Sequence, residues 1–285
     1  MNLIDGKKIA TQILDSLLNR VEKFPRKIGL AFLLVGDNPA SLAYVRMKKK
    51  ACARIGINSI VKEYRSDTTQ AELLREIQHL NNNPEIDGIL VQLPLPPHFD
   101  TLAVTRSILP EKDVDGFHPV NVGKLLLGEE DGFIPCTPHG VQVLLAHTLP
   151  IAGKHVVIVG RSNIVGKPLA SLLVQKKKGA NATVTLAHSQ SENLVEITRS
   201  ADILIAAIGQ PHFIKKEMVQ PGAVVIDVGI NRIQNETGEA KLVGDVDFDA
   251  VAPIASWITP VPGGVGPMTI AMLMQNTLES AERRG

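Results

Sequence analysis

Short apolar runs alternate with segments of helical periodicity along most of the chain. Several runs are almost continuously apolar, which is typical of parallel strands covered by helices on both faces. The segments between them have lengths suited to crossover helices. The pattern therefore predicts the α/β fold class, with strands at residues 28–35, 57–64, 88–93, 155–159, 183–187, 203–208 and 224–228.

Length and loop signals predict two domains. The chain has 285 residues, of which 44% are hydrophobic, and it is longer than the usual single domain. Prolines within residues 133–140 disfavour a helix there, whereas residues 141–147 have a helical pattern. Pro267 suits the first turn of an apolar helix that we expect from Met268 onward and that we expect to return to the first domain. The predicted domains are residues 1–138 with 268–285, and residues 139–267.

Charge and cysteine usage exclude several classes of protein. The 30 basic and 29 acidic side chains nearly cancel, so the chain shows no electrostatic footprint for nucleic acid or an anionic membrane. The chain has only two cysteines, Cys52 and Cys136, and so low a number is typical of proteins in a reducing compartment. No apolar run approaches the roughly 20 residues of a membrane span, and the start has no signal-peptide pattern. We expect a cytoplasmic protein without a nucleic-acid or membrane partner and assign no metal site.

A dinucleotide fingerprint is the clearest motif of the second half. Residues 155–166 read as a strand, a turn and a helix start, with Gly160 and Gly166 at the outer glycine positions and Ser162 at the middle one. Gly160 permits a tight turn, Gly166 permits close helix packing, and a helix N-terminus offers N–H groups to phosphate. An ordinary βα turn with two glycines is the alternative. The βαβαβ succession through residue 228 favours a Rossmann-type domain.

NADP fits this half of the chain better than NAD. NAD sites use an acidic residue about 20 positions beyond the glycines, but the second strand here ends at His188 and Ser189. Arg161 can pair with a 2′-phosphate, and Ser189 can add a hydrogen bond. Two alternatives stay open, because Glu192 lies only three residues beyond Ser189 and Arg161 can also be a solvated loop cation.

Lys48 is the most informative candidate of the first half. In a helix over residues 39–55, the rotation of 100° per residue places Lys48 on one stripe with Tyr44, Ala51 and Ile55. A lysine on such a face either extends to the surface or is desolvated, and desolvation makes its ammonium group easier to deprotonate. The pattern alone favours extension to the surface.

Polar residues and glycines mark three further segments. Gln92 interrupts an apolar strand near its carboxyl end, where α/β sheets bind ligands, although a core glutamine is an equal alternative. Asp113 and Asp115 are either paired catalytic acids or residues of a turn. The glycines within residues 262–267 let the backbone approach a flat ligand closely.

Five ordered motifs together resemble signatures of the bifunctional methylenetetrahydrofolate dehydrogenase/cyclohydrolase family. They occur at residues 44–48 (YVRMK), 91–96 (VQLPLP), 112–116 (KDVDG), 160–162 (GRS) and 260–269 (PVPGGVGPMT). The resemblance covers essentially the whole chain. It implies an N-terminal α/β catalytic domain that binds folate and a Rossmann-type domain with a parallel sheet that binds NADP.

The resemblance also implies roles for individual residues. Lys48 would be the catalytic lysine, Tyr44 would flank and position the folate, and Gln92 would hydrogen-bond Lys48. Asp115 would hold the pterin ring. The rest of the folate site would be lined by Val91, Leu93, Pro262, Gly263, Gly264, Val265 and Gly266. NADP would contact Gly160, Arg161, Ser162, Ser189 and Ile230.

The resemblance further implies two reactions and a homodimer. The first takes a hydride from 5,10-methylenetetrahydrofolate, and the second hydrolyses the methenyl product to 10-formyltetrahydrofolate, a one-carbon donor for purine biosynthesis. Two rival interpretations are an NADP oxidoreductase similar to shikimate dehydrogenase and a non-catalytic NADP-responsive binding protein. The oxidoreductase interpretation explains only the second half of the chain. The binding-protein interpretation differs from the family only by the lack of activity.

Overall fold

The computed structural model describes residues 1–234 and 240–285 and confirms the α/β class. The strands are β1 (Asn2–Leu3), β2 (Gly29–Val35), β3 (Asn58–Tyr64), β4 (Gly88–Val91), β5 (His155–Val159), β6 (Thr183–Ala187), β7 (Ile203–Ala206), β8 (Val224–Asp227), β9 (Asn231–Gln234), β10 (Ala240–Val243) and β11 (Trp257–Ile258). The α-helices are α1 (Gly6–Glu22), α2 (Pro39–Ile55), α3 (Gln70–Asn82), α4 (Thr101–Ser107), α5 (Pro119–Leu127), α6 (Cys136–Leu145), α7 (Gly166–Leu173), α8 (Leu194–Arg199), α9 (Phe248–Val251) and α10 (Val265–Arg284).

The chain forms two compact units. The first unit comprises residues 1–10 and 137–269, and the second comprises residues 11–136 and 270–285. This division differs from the predicted domains at the N-terminus, because residues 1–10 belong to the first unit rather than to the unit that contains Lys48. The physical reason is strand pairing, since Asn2 and Leu3 lie in register with Trp257 and Ile258.

A parallel sheet forms the centre of the first unit. Its strand order is β1-β11-β8-β7-β5-β6, and each neighbouring pair is parallel. The chain passes from β5 to β6 on one side and then returns to β7 on the other side of β5. Such a reversal is a topological switch point, where ligands of α/β sheets bind beyond the carboxyl ends of the strands. The ligand crevice of this unit is therefore expected beyond β5 and β7.

A smaller parallel sheet forms the centre of the second unit. Its order is β3-β2-β4, so the chain again reverses direction, here between β2 and β4. Every residue of β2 and β4 is buried, whereas the edge strand β3 is partly exposed. The continuous apolar runs predicted from the sequence are thus the central strand β2 and the edge strand β4 of this sheet.

The ends of α2 are fixed by local sequence. The Asn38 side chain accepts hydrogen bonds from the backbone N–H groups of Ala40 and Ser41, and Pro39 occupies the first helical position. Gly56 ends the helix with φ of 81°, a left-handed conformation that glycine adopts without strain. The helix spans the predicted residues and buries one face, which includes Lys48.

Two helices begin earlier than the sequence pattern indicates. The predicted loop at residues 133–140 is wrong in its second half, since α6 begins at Cys136. The last helix begins at Val265 rather than at Met268. In both helices a proline, Pro138 or Pro267, is the third helical residue. A first-turn residue has no intrahelical partner for its N–H, so proline is tolerated there.

Lys112 provides an internal cap for α3. Its side chain is buried, and Nζ donates hydrogen bonds to the carbonyl oxygens of Leu80 at 2.9 Å, Asn81 at 2.7 Å and Asn83 at 2.8 Å. These carbonyls lie at the end of the helix and have few other partners. Burial, with a smaller effect of the Arg284 charge, lowers the pKa of Lys112 to about 8. The lysine of the KDVDG motif is therefore a structural residue.

Replacing Lys112 tests this cap. Lys112→Met should lower the free energy of unfolding by about 2–4 kcal/mol, because it removes three hydrogen bonds and leaves the Asn81 carbonyl without its donor, whereas Leu80 and Asn83 keep one backbone N–H each. Denaturant titration followed by circular dichroism measures the loss. Lys62→Met is the matched control, because the Lys62 side chain is 47% exposed and its Nζ forms an ion pair of 3.6 Å with Oε1 of Glu76. The control should change stability by less than about 0.5 kcal/mol, and equal losses in the two variants would contradict the cap.

Candidate active site

Lys48 and Gln92 form the centre of the candidate site in the second unit. Lys48 is only 6% exposed, and its Nζ donates a hydrogen bond of 3.0 Å to Oε1 of Gln92. Nε2 of Gln92 donates to the Leu93 carbonyl at 2.7 Å, which leaves Oε1 to face the ammonium group. Of the two alternatives left by the sequence, the structure shows the buried lysine rather than one extended to the surface.

Tyr44 lies one helical turn before Lys48 and is half-buried. Burial raises the pKa of its phenol group. Gln92 follows β4 directly, at the carboxyl end of a strand beside the switch point of the small sheet. The fold thus brings the ammonium and amide groups to the edge where α/β sheets bind ligands, and Tyr44 lies one turn away on the same helix.

Asp115 lies within electrostatic reach of Lys48. Burial raises the pKa of Asp115, while the Lys48 charge and a hydrogen bond with Cys136 oppose that rise. Asp115 also lines a recess together with Val91, Leu93 and Phe117. The structure therefore brings Lys48 close to Gln92 and Asp115, and Asp115 lines a recess with Val91 and Leu93.

Asp113 serves a turn and is not a catalytic partner of Asp115. Its carboxylate accepts hydrogen bonds from the backbone N–H of His118 at 2.7 Å and from Nδ2 of Asn121 at 2.8 Å. Burial raises the pKa of Asp113 to about 7. Of the two roles that the sequence allowed, the structure supports the turn role.

Asn276 was missed by the sequence analysis. It is buried on α10, and its Nδ2 donates to the carbonyl oxygens of Val114 at 2.9 Å and Ile134 at 3.0 Å. Sγ of Cys136 donates to the same Val114 carbonyl at 3.3 Å. These bonds fix the segment that carries Asp115. Gln275 and Thr277 flank Asn276 in the sequence, so no isolated polar position marked it.

The glycine turn of the first unit lies at the switch point of the large sheet. Gly160 has φ of 129°, and a Cβ atom there would overlap the carbonyl oxygen of Ala207. A Cβ atom at Gly166 would overlap the carbonyl oxygen of Gly160. Both glycines are therefore required by close backbone packing. Oγ of Ser162 accepts a hydrogen bond of 3.1 Å from the Val165 N–H and so supports the start of α7.

The other predicted cofactor residues lie beyond the carboxyl ends of neighbouring strands. Arg161 follows β5, Ser189 follows β6, and both are exposed. Ile230 follows β8, is 39% exposed, and lies beside Gly266. A glycine turn, a helix N-terminus, an exposed guanidinium and an exposed apolar side chain at one sheet edge fit a phosphorylated dinucleotide.

The predicted Pro-Gly-Gly-Val-Gly segment belongs to the first unit. Pro262, Gly263 and Gly264 form the turn before α10, and Val265 and Gly266 are its first residues. The carbonyl of Gly263 accepts a hydrogen bond of 2.9 Å from the N–H of Lys7. The N-terminal segment thus anchors this turn within the first unit.

Comparison with known proteins identifies the family. The model of the tetrahydrofolate dehydrogenase/cyclohydrolase catalytic domain matches residues 4–115, and that of the NAD(P)-binding domain of the same family matches residues 135–285. The bifunctional protein FolD of Prosthecochloris aestuarii is 56% identical over 291 aligned positions, which cover 99% of each chain. The chain belongs to the tetrahydrofolate dehydrogenase/cyclohydrolase family.

Solved structures of this family share the fold. The bifunctional FolD enzyme of Campylobacter jejuni is 49% identical, covers 100% of both chains and superposes with a TM-score of 0.94. The FolD enzyme of Trypanosoma brucei, solved with NADP and an inhibitor, is 40% identical, covers 99% of this chain and 97% of its own, and gives a TM-score of 0.92. Family membership accounts for both halves of the chain and excludes the interpretation as an enzyme of the shikimate dehydrogenase type.

The described residues add two negative findings for this family member. Among residues 1–234 and 240–285, no helix is long and apolar enough to cross a membrane. Within the same ranges, no group of three or more histidine, cysteine, aspartate or glutamate side chains is arranged to hold a metal ion.

The raised pKa of Asp113 predicts a pH-dependent stability. A carboxyl group with a pKa of about 7 in the fold and an ordinary value of 3.8 stabilises the fold fully below the ordinary value and loses that contribution as the pH rises through 7. Asp113→Asn keeps an acceptor oxygen but cannot ionise. The wild-type protein should therefore lose roughly 2 kcal/mol of stability relative to this variant between about pH 5 and pH 8. Thermal unfolding at a series of pH values measures the difference, and parallel curves would contradict the prediction.

Proposed function

We propose that the protein is a bifunctional enzyme of one-carbon metabolism. It oxidises 5,10-methylenetetrahydrofolate to 5,10-methenyltetrahydrofolate with NADP and then hydrolyses this product to 10-formyltetrahydrofolate. The observation that carries the proposal is the buried Lys48, hydrogen-bonded to Gln92 beside Asp115 in a member of this family. The relatives named FolD are described as bifunctional, and the Trypanosoma brucei relative was solved with NADP.

The dehydrogenase step depends on positioning. A hydride leaves the methylene carbon that bridges two nitrogens, and the nitrogen lone pairs stabilise the resulting cation. NADP, when bound, accepts the hydride. No hydroxyl proton is removed, so the protein has to hold two flat molecules in reacting geometry rather than supply a strong base. Tyr44 and Asp115 orient the folate in this proposal, and the Gly160 turn, Ser162 and Ile230 orient the dinucleotide.

The cyclohydrolase step requires proton movement. Water adds to the methenyl carbon, the bond from that carbon to the ring nitrogen breaks, and the ring opens. Two protons leave the water, of which one ends on the ring nitrogen and the other is released. We assign the transfer to Nζ of Lys48, because it is a buried amine that is hydrogen-bonded to Gln92 at a strand end and lies within electrostatic reach of Asp115. Gln92 fixes the direction of Nζ, since its own Nε2 is already bound to the Leu93 carbonyl.

Arg161 and Ser189 select NADP over NAD in this proposal. Arg161 is exposed in the turn after β5, and Ser189 is exposed after β6. A guanidinium group pairs with a phosphate through two parallel hydrogen bonds. NAD lacks the 2′-phosphate that would accept them. The Ser189 hydroxyl adds a donor at the neighbouring strand end.

We also infer that the protein is a cytoplasmic homodimer whose product supplies purine biosynthesis and that it has no nucleic-acid or membrane partner. Both cysteines are free and buried, which suits a reducing compartment. The formal net charge of +1 gives no support for binding to nucleic acid or to a membrane surface. Light scattering in solution measures the oligomeric state directly.

Substitution of Lys48 tests the proton-transfer role. Lys48→Met should preserve the fold and lower the rate of methenyl hydrolysis by at least about 100-fold, because it removes the proton carrier but keeps the length of the side chain. The loss of methenyl-folate absorbance follows this step, and NADPH absorbance in the same cuvette follows the dehydrogenase. Lys49→Met, on the exposed face of α2, is the matched control. Undiminished hydrolysis in Lys48→Met would refute the assignment.

Substitution of Arg161 tests cofactor selection. Arg161→Ala should raise the Kd for NADP by about 10- to 100-fold and leave the Kd for NAD within about twofold, because only NADP carries the 2′-phosphate. Titration of each nucleotide by calorimetry gives both constants. Arg199→Ala, at the exposed end of α8, serves as the control. If Arg161→Ala raised the Kd values for NADP and NAD by equal factors, another group would have to bind the 2′-phosphate.

A further inference from the structure

Asp245 is a fully buried carboxylate that binds four N–H donors. Oδ2 accepts hydrogen bonds from the backbone N–H groups of Ile208 at 2.6 Å and Gly209 at 2.9 Å. Oδ1 accepts from the N–H of Gln210 at 3.0 Å and from Nδ2 of Asn231 at 2.8 Å. Within the described part of the chain, no lysine or arginine forms an ion pair with it. Its negative charge is therefore stabilised by these donors.

The three backbone donors lie at the switch point of the large sheet. Residues 208–210 follow β7, whose carboxyl end lies beside that of β5. The carbonyl oxygen of Ala207, the residue before them, contacts the Gly160 turn so closely that no Cβ atom fits between them. Asp245 therefore fixes the segment on which the glycine turn rests.

The fourth donor connects Asp245 to a second predicted cofactor contact. Asn231 adjoins Ile230, and the side chain of Ile230 lies beside Gly266. One carboxylate thus joins the segment after β7 to the segment after β8. Both segments lie at the edge where a dinucleotide binds to a sheet of this topology.

Asp227 holds Asp245 in place from the end of β8. The Asp227 carboxylate accepts hydrogen bonds from the N–H groups of Gly229 at 3.0 Å, Asp245 at 2.9 Å and Val246 at 2.9 Å. Burial, with a smaller effect of the Asp245 charge, raises the pKa of Asp227 to about 7. The backbone of Asp245 is thus anchored independently of its side chain.

We propose that Asp245 is a positioning residue for the dinucleotide, which acts by holding residues 208–210 and Asn231 so that the Gly160 turn and Ile230 keep their binding geometry. The carboxylate does not touch the cofactor, because its oxygens are occupied by these donors. The proposal rests on the proposed NADP-dependent function. It differs from the role of Arg161, since Asp245 supports features shared by NADP and NAD.

The test compares two carboxylates in the same unit. Asp245→Asn replaces one acceptor oxygen with an NH₂ group that faces N–H donors. It should raise the Kd for NADP by at least about tenfold and the Kd for NAD by a similar factor. Asp202→Asn is the matched control, because Asp202 accepts the N–H of His155 at 2.9 Å at the amino ends of the strands. The control should leave both constants within about twofold of the wild type.

Hydrolysis of methenyltetrahydrofolate in the same variants separates positioning from general loss of structure. At saturating methenyltetrahydrofolate, Asp245→Asn should retain the wild-type rate within about twofold, because Lys48, Gln92 and Asp115 belong to the other unit. Loss of hydrolysis together with NADP binding, or unchanged Kd values, would overturn the proposal. If Asp245→Asn does not fold, Asn231→Ala removes only one donor and should still raise the Kd for NADP by about threefold; an unchanged constant would then overturn it.

The failure of the proposed function gives a different result. A wild-type protein that binds NADP but shows neither activity would refute the proposed reactions. The nucleotide titrations of Asp245→Asn and Asp202→Asn would still decide whether Asp245 positions the dinucleotide, since they do not depend on turnover.

Discussion

Backbone N–H and C=O groups that lie beyond the ends of strands and helices have to be paired when they are buried, and buried polar side chains pair them here. Lys112 binds carbonyl groups at the end of α3, and Asn276 binds the segment that carries Asp115. Asp245 binds three successive N–H groups after β7. Leaving a buried polar group unpaired costs more free energy than a typical hydrogen bond contributes. Lys112, Asn276 and Asp245 therefore have few alternative arrangements. The conformation of the loops at the site depends on the hydrogen bonds of these buried side chains.

Much of the fold follows from local sequence. The central strands are continuous apolar runs because both of their faces are buried, and Asn38, Pro39 and Gly56 fix the ends of α2. The two-residue strands β1 and β11 carry no periodic signal, and they pair only because residues more than 250 positions apart meet in the fold. Their pairing moves the N-terminus to the first unit, which no local pattern indicates. The early start of α6 was hidden by the usual reading of proline as a loop residue.

The site was predictable only in part. Gln92 was visible as a polar residue that ends an apolar strand, and Asp227 carries the same signal but was overlooked. Burial of Lys48 does not follow from periodicity, because the same helical face suits a lysine that extends to the surface. Its partner lies 44 positions further along the chain. Asp245 has partners up to 37 positions away, so its role is visible only in three dimensions.

The boundaries between the units have a consequence for evolution. The chain passes from one unit to the other within α1, α6 and α10, and neither unit is a continuous stretch of sequence. A single recombination event therefore cannot exchange the dinucleotide unit for that of another enzyme, and each junction of a multiple exchange would interrupt a helix. Changes of cofactor preference in this lineage are expected to arise by point substitution, and inheritance of the two units should be linked.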